Sequence, residues 1–202
     1  MKKVLTIVIL PIIIILLGWA IYSSINQPVK FKKEREAREK VAKERLIDIR
    51  TLQVAYKSVH AKYAPSIDSL IDFYNNGTIT IVKQIGSLDD SVAVARKLVK
   101  REKVEIPVKD TILASRTNFV IDSLRTIPFS GGDPIIIKEV SKMVSGVNVP
   151  LFEAGMPYNS LLKGLDHQLI VNLNAERKDT DRYPGMLVGS ITSPNNNAGN
   201  WE

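Results

Sequence analysis

The chain has 202 residues, of which 45% are hydrophobic, and carries a formal net charge of +7. This length allows one soluble domain of ordinary size beside a membrane segment. Cysteine is absent, which excludes disulfides, thiol nucleophiles and iron–sulfur clusters. Much of the positive charge lies at Lys2, Lys3 and between Lys30 and Arg50, so lipid headgroups match it better than nucleic acid does.

The N-terminal segment predicts one transmembrane helix. The residues from Val4 to Tyr22 carry no charge, and at about 1.5 Å per residue they approach the hydrocarbon thickness of about 30 Å. Trp19 and Tyr22 stand near one end, where aromatic rings prefer the headgroup level. We therefore assign residues 1–27 to a retained anchor. A cleaved signal peptide is the alternative, because Gly18-Trp19-Ala20 resembles a cleavage site after a basic start.

The charges on the two sides of this anchor favour opposite orientations in the membrane. Lys2 and Lys3 favour a cytoplasmic N-terminus, whereas the larger basic count between Lys30 and Lys43 favours a cytoplasmic C-terminal side. The glutamates interleaved with that second group are typical of a solvated helix. We expect a single-pass protein of the bacterial inner (cytoplasmic) membrane with a periplasmic head, and a cytoplasmic head is the alternative.

Residues 28–64 predict a helical stalk that changes from charged to amphipathic. After a break at Ser23 to Pro28, the helix is expected from Phe31 to Tyr63, where Pro and Gly are absent. Its second half carries an apolar stripe at spacings of three and four. The stripe either packs on the chain's own head or forms a coiled-coil seam. In the second case the partner-binding residues are Ile49, Leu52, Tyr56, Val59 and Tyr63.

The end of the predicted stalk resembles a known family. The string IRTLQVAYKSVHAKYAPSIDSLIDF, from Ile49 to Phe73, is similar to the region of type IV pilins and pseudopilins where the long N-terminal helix meets the head. The matching residues are Ile49, Arg50, Leu52, Ala55, Tyr56, Tyr63, Pro65 and Leu70. The resemblance implies an anchor, a long helix and a β-rich head in a secretion-associated assembly. The ending SPNNNAGNWE also resembles uncharacterised single-pass membrane proteins of Bacteroidota bacteria.

Residues 65–192 predict an α+β head with a mostly antiparallel sheet. Two helices are expected first, from Ser66 to Tyr74, with Gly77 as a left-handed stop, and from Ser87 to Lys103. A turn is expected at Ser130 to Pro134. The predicted strands are Thr78 to Ile85, 104–108, Asn118 to Leu124, Pro134 to Val140, Val147 to Glu153, Gln168 to Asn174 and Met186 to Ile191.

The C-terminal tail, residues 193–202, is polar and is expected to be flexible. Trp201 either docks on the head or stays free, and the sequence leaves both alternatives open.

No residue pattern predicts a catalytic, cofactor or metal site. His60 and His167 are the only histidines and are far apart in sequence. We therefore expect a non-enzymatic assembly or scaffolding component that binds protein partners, without cofactors and without nucleic acid. The alternative is a membrane-tethered enzyme or small-ligand sensor, which a deep polar pocket containing His167 with Asp133 or Asp110 would favour.

Overall fold

The computed structural model describes residues 10–85, 100–117, 119–144 and 146–202. It confirms the α+β class, since a long N-terminal helix and several short helices pack with antiparallel sheets. Three expectations fall partly outside the described residues: the start of the predicted anchor with Lys2 and Lys3, most of the helix predicted from Ser87 to Lys103, and the first residue of the strand predicted from Asn118 to Leu124.

A single helix, α1 (Leu10–His60), runs from the predicted anchor into the head. The break expected at Ser23 to Pro28 is wrong, because Pro28 lies inside the continuous helix. A proline removes one backbone donor, and Gln27 beside it donates a side-chain hydrogen bond to Asp166 of the head, which holds the chain at this point. The helix ends at His60 rather than Tyr63, since Ala61 adopts a left-handed φ of 58°.

The second half of α1 supplies one side of the hydrophobic core. The apolar side chains Ala42, Leu46, Ile49 and Leu52 are fully buried. Burying a leucine or isoleucine side chain contributes about 1.5–3 kcal/mol, so this face binds the helix firmly to the head. The interpretation in which the stripe packs on the chain's own domain is confirmed for these positions.

The reversal after α1 is fixed by a buried amide. Gln53 Nε2 donates to the Ala64 carbonyl at 3.0 Å, and Ala64 N donates to Gln53 Oε1 at 2.8 Å. Helix α2 (Ile67–Asn76) then begins at the predicted cap, where Ser66 Oγ accepts from Ser69 N.

Gly77 follows α2, but the expected left-handed stop is wrong because its φ is −79°. Glycine suits this position for another reason. A Cβ here would approach the Phe73 carbonyl oxygen to 2.4 Å, so the chain can pass the end of α2 only without a side chain.

Strands β1 (Thr78–Ile85) and β2 (Lys100–Pro107) form a two-stranded antiparallel ribbon. The bounds predicted for β1 are confirmed. Residues 100–103, predicted as the end of a helix, belong to β2 because they pair with residues 82–85 of β1. A short helix, α3 (Val108–Thr111), begins with the fully buried Val108 and ties the base of the ribbon to the core.

A three-stranded antiparallel sheet faces α1, in the order β3 (Ile136–Val144), β4 (Val147–Pro157) and β5 (Gly185–Gly189). These strands confirm three predicted segments. The turn before β3 is also confirmed, since the buried Ser130 side chain accepts from the backbone N–H groups of Gly132 and Asp133. The strand expected from Asn118 to Leu124 is wrong, since Ile121–Arg125 is a 3₁₀ helix that buries Leu124.

Two helices connect β4 to β5: α4 (Tyr158–Leu161) and α5 (His167–Asp179). The strand expected from Gln168 to Asn174 is wrong. Asp166 caps α5 by accepting from Leu169 N at 2.9 Å, and the buried Ile170 and Leu173 are three residues apart, as on one helical face.

The C-terminal tail is folded back on the head by specific contacts, and its expected flexibility stays a prediction. Gly199 forms a bridge with Val188 of β5, and Arg50 of α1 pairs with Glu202 at 2.7 Å. Trp201 packs half-buried against the core, which decides between its two alternatives in favour of docking.

Candidate functional site

The five residues predicted to bind a partner lie in two kinds of environment. Ile49, Leu52 and Tyr63 are buried in the chain's own core, so they reach no partner in this conformation. The half-buried Tyr56 packs edge-on against Phe73 with ring centroids 5.2 Å apart. Val59 is 45% exposed, so among the five residues it has the most surface open to a partner.

His167 lines an open hollow of about 650 Å³ together with residues of α5, Lys163 and Lys178. Among the described residues, no carboxylate lines this hollow. Asp133 lies outside it, with its Oδ1 3.9 Å from Lys163 Nζ. His60 lies elsewhere, with its ring tilted against that of Tyr56 at a centroid distance of 4.2 Å. Within the described ranges, no three His, Asp or Glu side chains are grouped as metal ligands would be.

A polar cross-link joins α1 to α4 and α5 through Tyr158. The buried phenol donates to Glu39 Oε1 at 2.6 Å and accepts from Arg177 Nη2 at 3.3 Å. Burial, with the neighbouring Glu39 carboxylate, raises the pKa of Tyr158 to about 12. The phenol therefore keeps its proton and donates its hydrogen bond at ordinary pH. Its contacts serve to hold α1 against α4 and α5.

A second cross-link joins α1 to the segment after α3. Asp48 is buried, and Arg116 Nε donates to its two carboxylate oxygens at 3.0 and 3.3 Å. Burial raises the pKa of Asp48, while the hydrogen bond and charge of Arg116 oppose that rise. Glu44 lies 3.3 Å from the same guanidinium.

A groove of about 460 Å³ lies where α1 leaves the head. We call it the juxtamembrane groove. One wall is a single face of α1 whose main residues are Trp19, Tyr22, Asn26, Gln27, Lys30 and Glu34. The other wall is the loop Gly164, Leu165 and Asp166. Spacings of three and four place the α1 residues in one row, about 22 Å long at 1.5 Å per residue.

The loop that overhangs this groove is fixed to α1 at two points. Arg38 Nη1 donates to the carbonyls of Leu161 and Lys163 at 3.2 and 2.9 Å. Nearer the N-terminus, Gln27 donates to Asp166 Oδ2. The groove is thus a built feature of the fold, with an aromatic end at Trp19 and a charged end beyond Gln27.

The two antiparallel units also expose apolar side chains. On the β1–β2 ribbon, Ile81 pairs with Val104, and both side chains are exposed in the described structure. At the end of the β3–β4 hairpin, Val144 pairs with Val147, and their side chains are 37% and 63% exposed. We call these the apolar strand surfaces.

The described structure contains one helix, α1, that is long and apolar enough to cross a membrane. Its most apolar 18-residue stretch has a mean hydropathy of 1.5, and none of that stretch is buried in the protein. The head contacts α1 at the C-terminal end of this region, at Gln27.

Comparisons of the chain with protein-family profiles, with curated proteins and with solved structures found no match.

The sequence interpretation missed the juxtamembrane groove. Its helical wall was detectable in principle, because Asn26, Gln27 and Lys30 continue the spacing that begins at Trp19. Its second wall was not detectable, because Asp166 is brought to Gln27 by tertiary folding alone.

Proposed function

We propose that this protein is a non-enzymatic, single-pass membrane-anchored assembly or scaffolding component whose head binds protein partners. The observation that carries the proposal is the exposure of the apolar strand surfaces, Ile81 with Val104 and Val144 with Val147, on a head held by α1. Contiguous exposed apolar side chains are typical of protein–protein contact sites.

The β1–β2 ribbon gives the stronger support. An isolated two-stranded ribbon is at best marginally stable in water, and this ribbon pairs with no third strand among the described residues. Ile79 packs against the core at its base, and Ile81 with Val104 continues the same face outward. A partner that covers this face would stabilise the ribbon and gain apolar contact area.

The membrane setting that we propose is the bacterial inner membrane, with α1 as a retained anchor and the head in the periplasm. The proposal extends to a pilin-like, secretion-associated assembly. It is supported by the residues matched from Ile49 to Phe73 and by the packing of α1 against an antiparallel sheet. Neither Asp133 nor Asp110 lines the hollow at His167, so this hollow is not the pocket that would favour the enzyme or sensor alternative.

Site-specific photocrosslinking in intact membranes tests the partner proposal. A photoreactive residue at position 81 or 147 of the full chain should give an adduct of discrete mass with a protein. An excess of chain without the photoreactive residue should compete with this adduct. Position 168 is the matched control, because Gln168 is exposed on α5 away from the apolar strand surfaces. Absence of adducts at 81 and 147, or equal adducts at 168, would contradict the proposal.

A further inference from the structure

We propose that the juxtamembrane groove binds the headgroup of a zwitterionic phospholipid with a primary ammonium group, of the phosphatidylethanolamine class. The inference rests on the membrane anchoring proposed above, and it is independent of the protein partner. Its occupant follows from the position of the groove along α1 and from the charges on its two walls.

The position of the groove is that of the lipid headgroups. Trp19 and Tyr22 are 69% and 66% exposed at its inner end, where aromatic rings prefer the membrane–water interface. Gln27 lies about 7 Å farther along the helix, within a headgroup layer about 5–8 Å thick. The overhanging loop at Asp166 is held at this same level by Gln27. The headgroup of a lipid in the adjacent leaflet is therefore the chemical group nearest to the groove.

Along this row, the chemistry of the groove walls follows the successive parts of a phospholipid, from the acyl chains and glycerol to the phosphate. The aromatic rings of Trp19 and Tyr22 face the level of the acyl chains and glycerol. Asn26 then offers amide donors, and Lys30 offers an ammonium that can reach back toward a phosphate, as long basic side chains do near membranes. A phosphate held there accepts charge-assisted hydrogen bonds.

Asp166 selects the rest of the headgroup. Its two oxygens accept from Leu169 N and Gln27 Nε2, and an ionised carboxylate has about four acceptor positions. The remaining positions suit a primary ammonium, which donates up to three hydrogen bonds, whereas a trimethylated choline donates none. A purely anionic headgroup would meet the carboxylates of Asp166 and Glu34 without a cation of its own.

Competition among lipids tests the inference on the full chain. The protein is placed in nanodiscs with equal amounts of phosphatidylethanolamine, phosphatidylcholine and phosphatidylglycerol of the same acyl chains, and retained lipids are counted by native mass spectrometry. We expect one phosphatidylethanolamine retained about tenfold over either competitor, as one charge-assisted hydrogen bond provides. Lys30→Gln should lower the retention of all three lipids, because each of them carries a phosphate, and Asp166→Asn should abolish the preference among them. Asparagine keeps the cap of α5, so the second variant tests charge rather than folding.

Lys33→Gln and Asp179→Asn are matched controls, because both side chains are exposed and neither lines the groove. They should retain the wild-type preference. Equal retention of the three lipids, a preference for phosphatidylglycerol, or an equal loss in the controls would overturn the inference. Alkaline extraction of cell membranes separates the two proposals: a chain that is extracted contradicts the anchoring itself, whereas an embedded chain without lipid preference contradicts the groove alone.

Discussion

The two halves of α1 are equally helical but lie in different surroundings. In the first half, Ile14, Ile15 and Leu16 are 60%, 70% and 58% exposed, whereas Leu46, Ile49 and Leu52 in the second half are fully buried. Apolar side chains surround the helix in the first half and occupy one stripe in the second. An apolar surface on all sides suits lipid, while a stripe suits one protein neighbour. The distribution of apolar residues around the helix, rather than their number, distinguishes the two halves.

The largest expected effect tests this difference directly. Leu46→Ala should lower the free energy of unfolding by about 2–5 kcal/mol, because it leaves a cavity in the core. Leu16→Ala is the matched control and should leave the stability of the head unchanged, since Leu16 contacts no core residue of the described head. Urea unfolding of the full chain in detergent measures both. Similar losses in the two variants would contradict the division of α1 into a lipid-facing and a protein-facing half.

An intermediate effect concerns the buried charge on the protein-facing half. Arg116→Gln should lower the free energy of unfolding by about 1–3 kcal/mol at pH 7, because the buried carboxylate of Asp48 loses its charged partner. Burial already raises the pKa of Asp48 above 3.8, and the variant should raise it further. The folded state then favours the protonated acid, so the loss should shrink as the pH falls toward and below that pKa.

Unfolding measured from pH 7 to pH 4 checks this sign. Arg125→Gln is the control, because Arg125 pairs with the exposed Asp68 and Asp122, and its loss should show little dependence on pH. If the loss of free energy of unfolding in Arg116→Gln is independent of pH, the unpaired carboxylate of Asp48 does not cause that loss.

The smallest effect concerns the cross-link through Tyr158. Tyr158→Phe should lower the free energy of unfolding by about 0.5–1.5 kcal/mol at pH 8, because Glu39 loses a donor. In the wild type the pKa of Tyr158 is raised from 10.0 to about 12. The folded state therefore favours the neutral phenol, and this contribution is complete below pH 10 and lost as the pH rises toward 12.

The urea midpoints of the two proteins at pH 8 and pH 11 provide the measurement, and the difference between them should narrow at the higher pH. Tyr74→Phe is the control, because Tyr74 is half-buried against Phe119 by ring packing. If the difference between wild type and Tyr158→Phe stays constant, the hydroxyl of Tyr158 does not titrate as its surroundings indicate.

The elements that were predicted correctly are indicated by patterns of residues that lie close together in the sequence. Ser66 before an apolar helix predicted the cap of α2, and the alternation from Thr78 to Ile85 predicted β1 with its observed bounds. The strand expected from Gln168 to Asn174 failed because a short apolar run fits either period. The deciding signal was Asp166, which caps α5.

The features that sequence missed depend on contacts between distant segments. The tail has a polar, loop-like composition, yet Glu202 is held by Arg50 across the fold. The juxtamembrane groove likewise needs Asp166 beside Gln27. No local pattern contains these pairings, whereas the membrane-compatible helix was predicted because its length and composition suffice.

Because α1 is continuous, a change of angle at its N-terminal end displaces its C-terminal end. Between Tyr22 and His60 the helix extends about 57 Å, with no described interruption at Pro28. A change of about 10° in the angle at which such a rod leaves the bilayer moves its far end by about 10 Å. Because the core is built on that rod, a bilayer that holds α1 in the way proposed above would move the apolar strand surfaces toward or away from neighbours through its thickness and curvature, without any change inside the head.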